Sequence, residues 1–226
     1  MANLLSWDND GERFYETGVK NAVLYVKDTT GKYGAGVAWN GVTGITESPS
    51  GAEATALYAD DIKYLNLISA EEYGITITAY QSPEEFDICD GAAELVKGVV
   101  VSQQTRRGFG ICYRTAIGND VEADMYGYKL HIVYGCIAAP SERSYSTIND
   151  SPEAMELSWE VNTTPVNVPG HKPTAHLTID STKIDAEKLT KLEEVLYGKA
   201  ATSDDAGDEV AARLPLPAEI MTILAA

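Results

Sequence analysis

Residues 127–161 read GYKLHIVYGCIAAPSERSYSTINDSPEAMELSWEV, and both ends of the stretch alternate in side-chain character. A period of two is the mark of a strand with one buried face. In the first run Tyr128, Leu130, Ile132, Tyr134 and Cys136 share one side, and Lys129, His131, Val133, Gly135 and Ile137 share the other. In the second run Met155, Leu157, Trp159 and Val161 stand against Glu156, Ser158 and Glu160. The polar connection between them, 140–152, is too long for a tight hairpin.

Working outward, strands are expected at 22–27, 74–80, 98–104, 109–117 and 173–180, with two more at 53–59 and 62–67 joined by Asp60-Asp61. Ser82-Pro83-Glu84-Glu85 has the spacing of a capping box, with Ser82 as N-cap, and predicts a short helix through Cys89. Asp185 caps the one strongly amphipathic helix, 186–197, whose apolar stripe is Leu189, Leu192, Val195 and Leu196 and which Gly198 stops. The stretch 31–51, with glycine at 31, 34, 36, 41, 44 and 51, reads as a projecting hairpin or arm. After residue 198 the chain is Ala/Asp/Gly-rich and ends in an apolar tail, so 199–226 reads as a linker and a docking segment. The expectation is a mainly β, many-stranded domain over 1–198 with one flanking helix and a short second one.

Seventeen Lys and Arg against 34 Asp and Glu leave a net charge of −17. A protein that grips nucleic acid over a wide surface needs basic patches, so this chain is not expected to do so. No apolar run approaches the roughly 18 residues of a membrane span, and the N-terminus lacks the basic start and apolar core of a secretory signal. Cys89, Cys112 and Cys136 are odd in number and in no CxxC spacing, which fits core packing better than a zinc site or a disulfide framework. His131, His171 and His176 are too scattered for a triad or a ligand set, and His131 and His176 alternate onto the polar sides of their strands. There is no GxSxG. No catalytic residue, cofactor or metal is expected.

Three stretches, AYQSPEEFDICDG (79–91), QQTRRGFGICYRTAIGND (103–120) and YGYKLHIVYGCIAAPSERSYSTINDSPEAMELSWEVNTTPV (126–166), together with IDSTK (179–183) and LEEVLYG (192–198), carry a resemblance. The chain resembles the phi13-type major tail (tube) proteins of long, non-contractile-tailed bacteriophages over residues 1–198. The resemblance implies an antiparallel β-sandwich or barrel of the tail-tube type, polymerised as stacked hexameric rings into a conduit for DNA. It implies a virion (tail) location after assembly in the host cytoplasm. The implied partners are the chain itself, through ring and inter-ring contacts, and the tail terminator, tape measure and distal tail proteins; DNA passes without specific binding, and no membrane is involved.

Within that frame Arg106 and Arg107, in a chain poor in cations, are expected to pair with acids of a neighbouring subunit. Trp39 and Tyr145 are further interface candidates, and Glu156 and Glu160 are candidates for an acidic lumen. The alternative is a carbohydrate- or receptor-binding β-sandwich module, for which Trp39 is the exposed stacking candidate.

Overall fold

A computed structural model describes residues 4–148, 150, 154–201 and 209–225. In chain order the strands are β1 (Tyr15–Lys27), β2 (Tyr33–Ala38), β3 (Val42–Glu47), β4 (Ser50–Gly51), β5 (Ala54–Ala59), β6 (Ile62–Ile68), β7 (Glu71–Glu72) and β8 (Gly74–Ala79). They continue with β9 (Ala93–Val96), β10 (Val99–Val101), β11 (Phe109–Asn119), β12 (Ala123–Ala138), β13 (Leu157–Asn162) and β14 (His176–Asp180). Two helices follow, α1 (Ala186–Tyr197) and α2 (Pro217–Ala225). The fold is mainly β, with antiparallel pairing throughout and helices at its flank.

Two sheets share one strand. The first runs β2-β1-β11-β12 and adds β14 beyond β12; the second runs β12-β13-β8-β3. In its middle β12 pairs Lys129–Val133 with Asp180–His176, and at its end it pairs Ile137 and Ala138 with Asn162 and Val161. Between the sheets lies a core of Leu24, Ile75, Ile77, Phe109, Ile111, Val133, Cys136, Trp159 and Val161, with Trp39 and Phe86 closing it. On the other side of the first sheet, Val23, Tyr25, Leu130, Ile132, Tyr134 and Ile179 pack under Leu189, Leu192 and Leu196 of α1 and Ile220 of α2.

This corrects the expectation of one polar and one apolar face on β12, for both faces are buried. Leu130, Ile132 and Tyr134 point to the helices, whereas His131 and Val133 point between the sheets. The alternation then slips. Cys136 and Ala138 join Val133 in the inter-sheet core, and Ile137 turns outward. The slip occurs at Gly135, which has φ +63°. Its N–H leaves the ladder to donate to the Tyr33 hydroxyl (2.9 Å), and its carbonyl accepts from Thr164 N (3.0 Å). One extra residue in a strand reverses every side chain beyond it, and so lets β12 serve two sheets.

The helix over 186–197 forms as expected, with Asp185 accepting from the Glu187 and Lys188 backbone amides and Gly198 at φ +84° ending it. Burying its three leucines is worth roughly 1.5–3 kcal/mol each, well beyond what helix propensity contributes. The short helix over 83–89 shrinks to a single 3₁₀ turn, Glu84–Phe86, capped by Pro83 with no side-chain bond from Ser82. Burial of Phe86 and Cys89 in the inter-sheet core holds this segment against the sheets instead of letting a helix grow. The second α-helix is the apolar tail, which docks on its own domain beside α1. The linker before it is tied down by Lys199–Val210 and Ala35–Arg213 bridges, and its residues 202–208 lie outside the described residues.

The arm expected over 31–51 is also corrected. Its two strands, β2 and β3, are edge strands of the two sheets, paired to β1 and β8. The glycines there permit close packing: a Cβ on Gly36 would meet Tyr25, Ala212 and Val23 within about 3 Å. The segment that does project is the next one, in which β4 pairs with β7 and β5 with β6. Of the polar connection 140–152, residues 149, 151 and 152 lie outside the described residues. Among the described residues no helix is long and apolar enough to cross a membrane.

A methyl group on Gly135 would lie 2.2 Å from the Thr164 carbonyl oxygen, on backbone that favours glycine. Gly135→Ala is therefore expected to cost about 2 kcal/mol or more, read by urea denaturation. Gly98→Ala, also at positive φ (+83°) but with open space around it, is expected to cost about 1 kcal/mol.

Candidate functional site

Arg106 is not a free surface cation. Its Nη1 donates to Asp90 Oδ1 (3.2 Å) and to the Ala138 and Ala139 carbonyls (3.1 and 3.3 Å), tying the strand-free segment before β11 to the end of β12. Arg143 pairs with the other oxygen of Asp90. Arg107 is half-buried, anchored by its backbone N–H to the Ile88 carbonyl (3.1 Å), and makes no ion pair with a described residue. Arg106, expected to pair with acids of a neighbouring subunit, thus has its guanidinium engaged within its own chain.

Trp39 is corrected too. It is 3% exposed, stacks against Phe86 and Trp159 with centroids at 4.6 and 5.5 Å, and donates Nε1–H to the Gln81 carbonyl (2.9 Å). The carbohydrate reading loses its platform. Tyr145 is exposed, as an interface residue must be in the free chain. Glu156 and Glu160 are exposed on the outer side of the second sheet. Glu160 stands opposite Thr76 and Ser158 opposite Thr78, while Glu156 accepts a hydrogen bond from the Thr43 hydroxyl. That outer face is polar and its only charged groups among β8 and β13 are acidic.

Two features escaped the sequence. The first is the exposure of the hairpin of β5 and β6, itself expected over 53–67, which leaves Leu57, Tyr58, Ile62, Tyr64, Leu65, Leu67 and Ile68 on the surface. Leu57 lies opposite Leu65, and Leu67 shares their face. Beside it in character is the β9–β10 hairpin, which exposes Leu95, Val96, Val99 and Val100. Two-stranded ribbons are marginally stable alone in water, and apolar groups in such number on a ribbon are unusual for a free surface.

The second is a polar cluster at one end of the inter-sheet space. Tyr113, His131, His176 and Tyr73 stack in that order, with ring centroids 4.7, 5.4 and 4.8 Å apart and planes within 14°. The expectation that both histidines are surface groups is corrected, because His131 is 6% exposed. The side of β12 and β14 opposite the helices is the inter-sheet side, and β12 register places His131 between Tyr113 and Thr178. His131 Nδ1 lies 3.2 Å from His176 Nε2, and Glu47 Oε1, from the end of β3, lies 3.9 Å from each. The other nitrogen of His131, Nε2, is 3.0 Å from Thr115 Oγ1 and 3.4 Å from Glu16 Oε1.

Burial holds both histidines below their ordinary range, outweighing the carboxylates nearby, so both rings are neutral at pH 7. Burial raises the Glu16 carboxyl, but hydrogen bonds from Lys129 and Thr115 outweigh it and keep the group ionised. The Tyr73 hydroxyl is buried with no hydrogen-bond partner among the described residues. Burial, then Tyr113 and Glu47, push its pKa far up, so it stays protonated. Cross-strand register brought these groups together; Glu47 falling on the inward side after Ile45 was the one local signal. A scan against protein-family models finds no match to the chain, and a search of curated proteins finds none either.

Arg106→Met removes a guanidinium that serves one carboxylate and two carbonyls in a half-buried place. It is expected to lower stability by about 2 kcal/mol in urea denaturation of the unassembled chain, because the Ala138 carbonyl loses its side-chain donor while Asp90 and the Ala139 carbonyl keep only Arg143 and Ser141. A variant as stable as the parent would contradict the anchoring role.

Proposed function

We propose that this chain is a structural subunit that polymerises with copies of itself into a phage-type tail tube. The observation that carries the reading is the projecting hairpin, whose apolar side chains no described residue covers. A second copy is the fitting occupant. A subunit that presents a ribbon on one side and a sheet-edge strand at β3 can pass the ribbon to its neighbour, and closure of a ring then hides that edge. The resemblance in residues 79–91, 103–120 and 126–166 points to the same class of assembly.

The layers supply an orientation. Helices α1 and α2 cover one side of the first sheet, which leaves the outer face of the second sheet, with Thr76, Thr78, Ser158 and Glu160, as the polar face available to a lumen. Carboxylates there repel phosphates and let DNA slide. The acidic balance of −17 extends the same repulsion over the whole particle.

Replacing 52–70 by a two-residue turn is expected to leave the thermal unfolding of the core unchanged and to hold the protein at one subunit by analytical ultracentrifugation. The parent chain is expected to sediment as rings or longer particles. A deletion variant that assembles like the parent, or a parent that stays monomeric at every concentration, contradicts the proposal.

A further inference from the structure

We infer that Glu47, His131 and His176 form a binding site for one divalent transition-metal ion of the zinc type, which fastens the second sheet to the first. Two imidazoles and one carboxylate are a borderline-soft donor set that suits zinc, and their ligating atoms converge from three different strands. With separations of 3.2, 3.9 and 3.9 Å, the point equidistant from the three atoms lies about 2.1 Å from each, within the usual zinc–ligand range of roughly 2.0–2.2 Å.

The surroundings meet the other requirements of such a site. His131 presents Nδ1 to the centre while its Nε2 faces the Glu16 carboxylate and the Thr115 hydroxyl. With the proton on Nε2 and Glu16 accepting it, Nδ1 keeps its lone pair for a metal; this is the carboxylate–histidine–metal arrangement. In the metal-free chain His176 then carries its proton on Nε2, donating to His131 Nδ1 across 3.2 Å. An arriving ion replaces that proton, which moves to Nδ1 of His176, so the change is one of tautomer with no net proton released. The two rings are parallel within 5°. Turning the His176 lone pair onto the common point takes a rotation about χ2, a broad torsion in histidine. The Tyr73 hydroxyl, buried and unpartnered among the described residues, would gain a partner in a water on the open coordination position. The Glu47 side chain is 43% exposed and provides the way in.

The test is uptake of zinc alone by the full-length chain after stripping with a chelator. One equivalent per chain is expected, with a rise in melting temperature, since the ion binds the folded chain and joins two sheets that separate on unfolding. His176→Ala and Glu47→Gln should each weaken binding by about a hundredfold or more, and Glu16→Gln by about 10–100-fold with the stoichiometry kept. His171→Ala, in an exposed turn, should bind like the parent. Because replacing a buried histidine can disturb folding, Glu47→Gln at the rim decides: its metal-free melting temperature should match the parent's while the zinc-induced rise disappears. Cobalt(II) in place of zinc should give the strong ligand-field absorption of a low-coordinate N,O site in the parent and lose it in Glu47→Gln. No uptake by the parent, or uptake unchanged in Glu47→Gln and His176→Ala, overturns the inference. It stands apart from the assembly proposal, since neither experiment depends on the other's outcome.

Discussion

The fold depends on the contact between Gly135 and Thr164. Where the Gly135 carbonyl accepts from the Thr164 amide and leaves no room for a side chain, β12 slips by one residue and bends from the first sheet into the second. Before the slip the strand is common to two cores, the helix layer on one side and the sheet–sheet space on the other. After it, the strand contributes Cys136 and Ala138 to the sheet–sheet space alone. The bulge thus sets which residues beyond it are inside, while the unbroken pairing before it, Lys129–Val133 with Asp180–His176, sets where His131 and His176 meet.

The same constraint explains what could be read in advance. The helix over 186–197 was legible to the residue, because its cap, stripe and stop all lie within it. The strand over 74–79 and the turn at Asp60-Asp61 were legible for the same local reasons. Trp39 was not, because its burial is supplied by Phe86 and Trp159, far away in sequence. Nor was the projection of the 53–67 hairpin: glycines between 31 and 51 suggested looseness but instead admit close packing, while nothing local in the two strands at 53–59 and 62–67 marked their apolar side chains as exposed. His131 looked like a surface group because polar residues alternated with apolar ones, and a sheet with two buried faces can place a polar residue inside when partners wait there. Glu16, Glu47, Thr115 and Tyr113 are those partners, and only register reveals them.

Function follows from the division of the surface. One side carries helices, another a polar and acidic sheet face, and the hairpins carry apolar groups away from both cores. Intramolecular cations such as Arg106 hold the chain together, so the proposed assembly is left to apolar contacts and strand edges. Such assembly should tolerate high salt, since apolar burial is not screened. The proposed metal clamp would add rigidity at β3, the strand from which the chain leaves the second sheet for the projecting hairpin.

The most direct measurement is electron cryomicroscopy of the concentrated full-length protein with helical reconstruction. The account predicts a hollow tube in which residues 54–68 lie against a neighbouring subunit and the outer face of the second sheet borders the channel. Monodisperse single subunits, or a polymer in which that hairpin points into solvent, would contradict it.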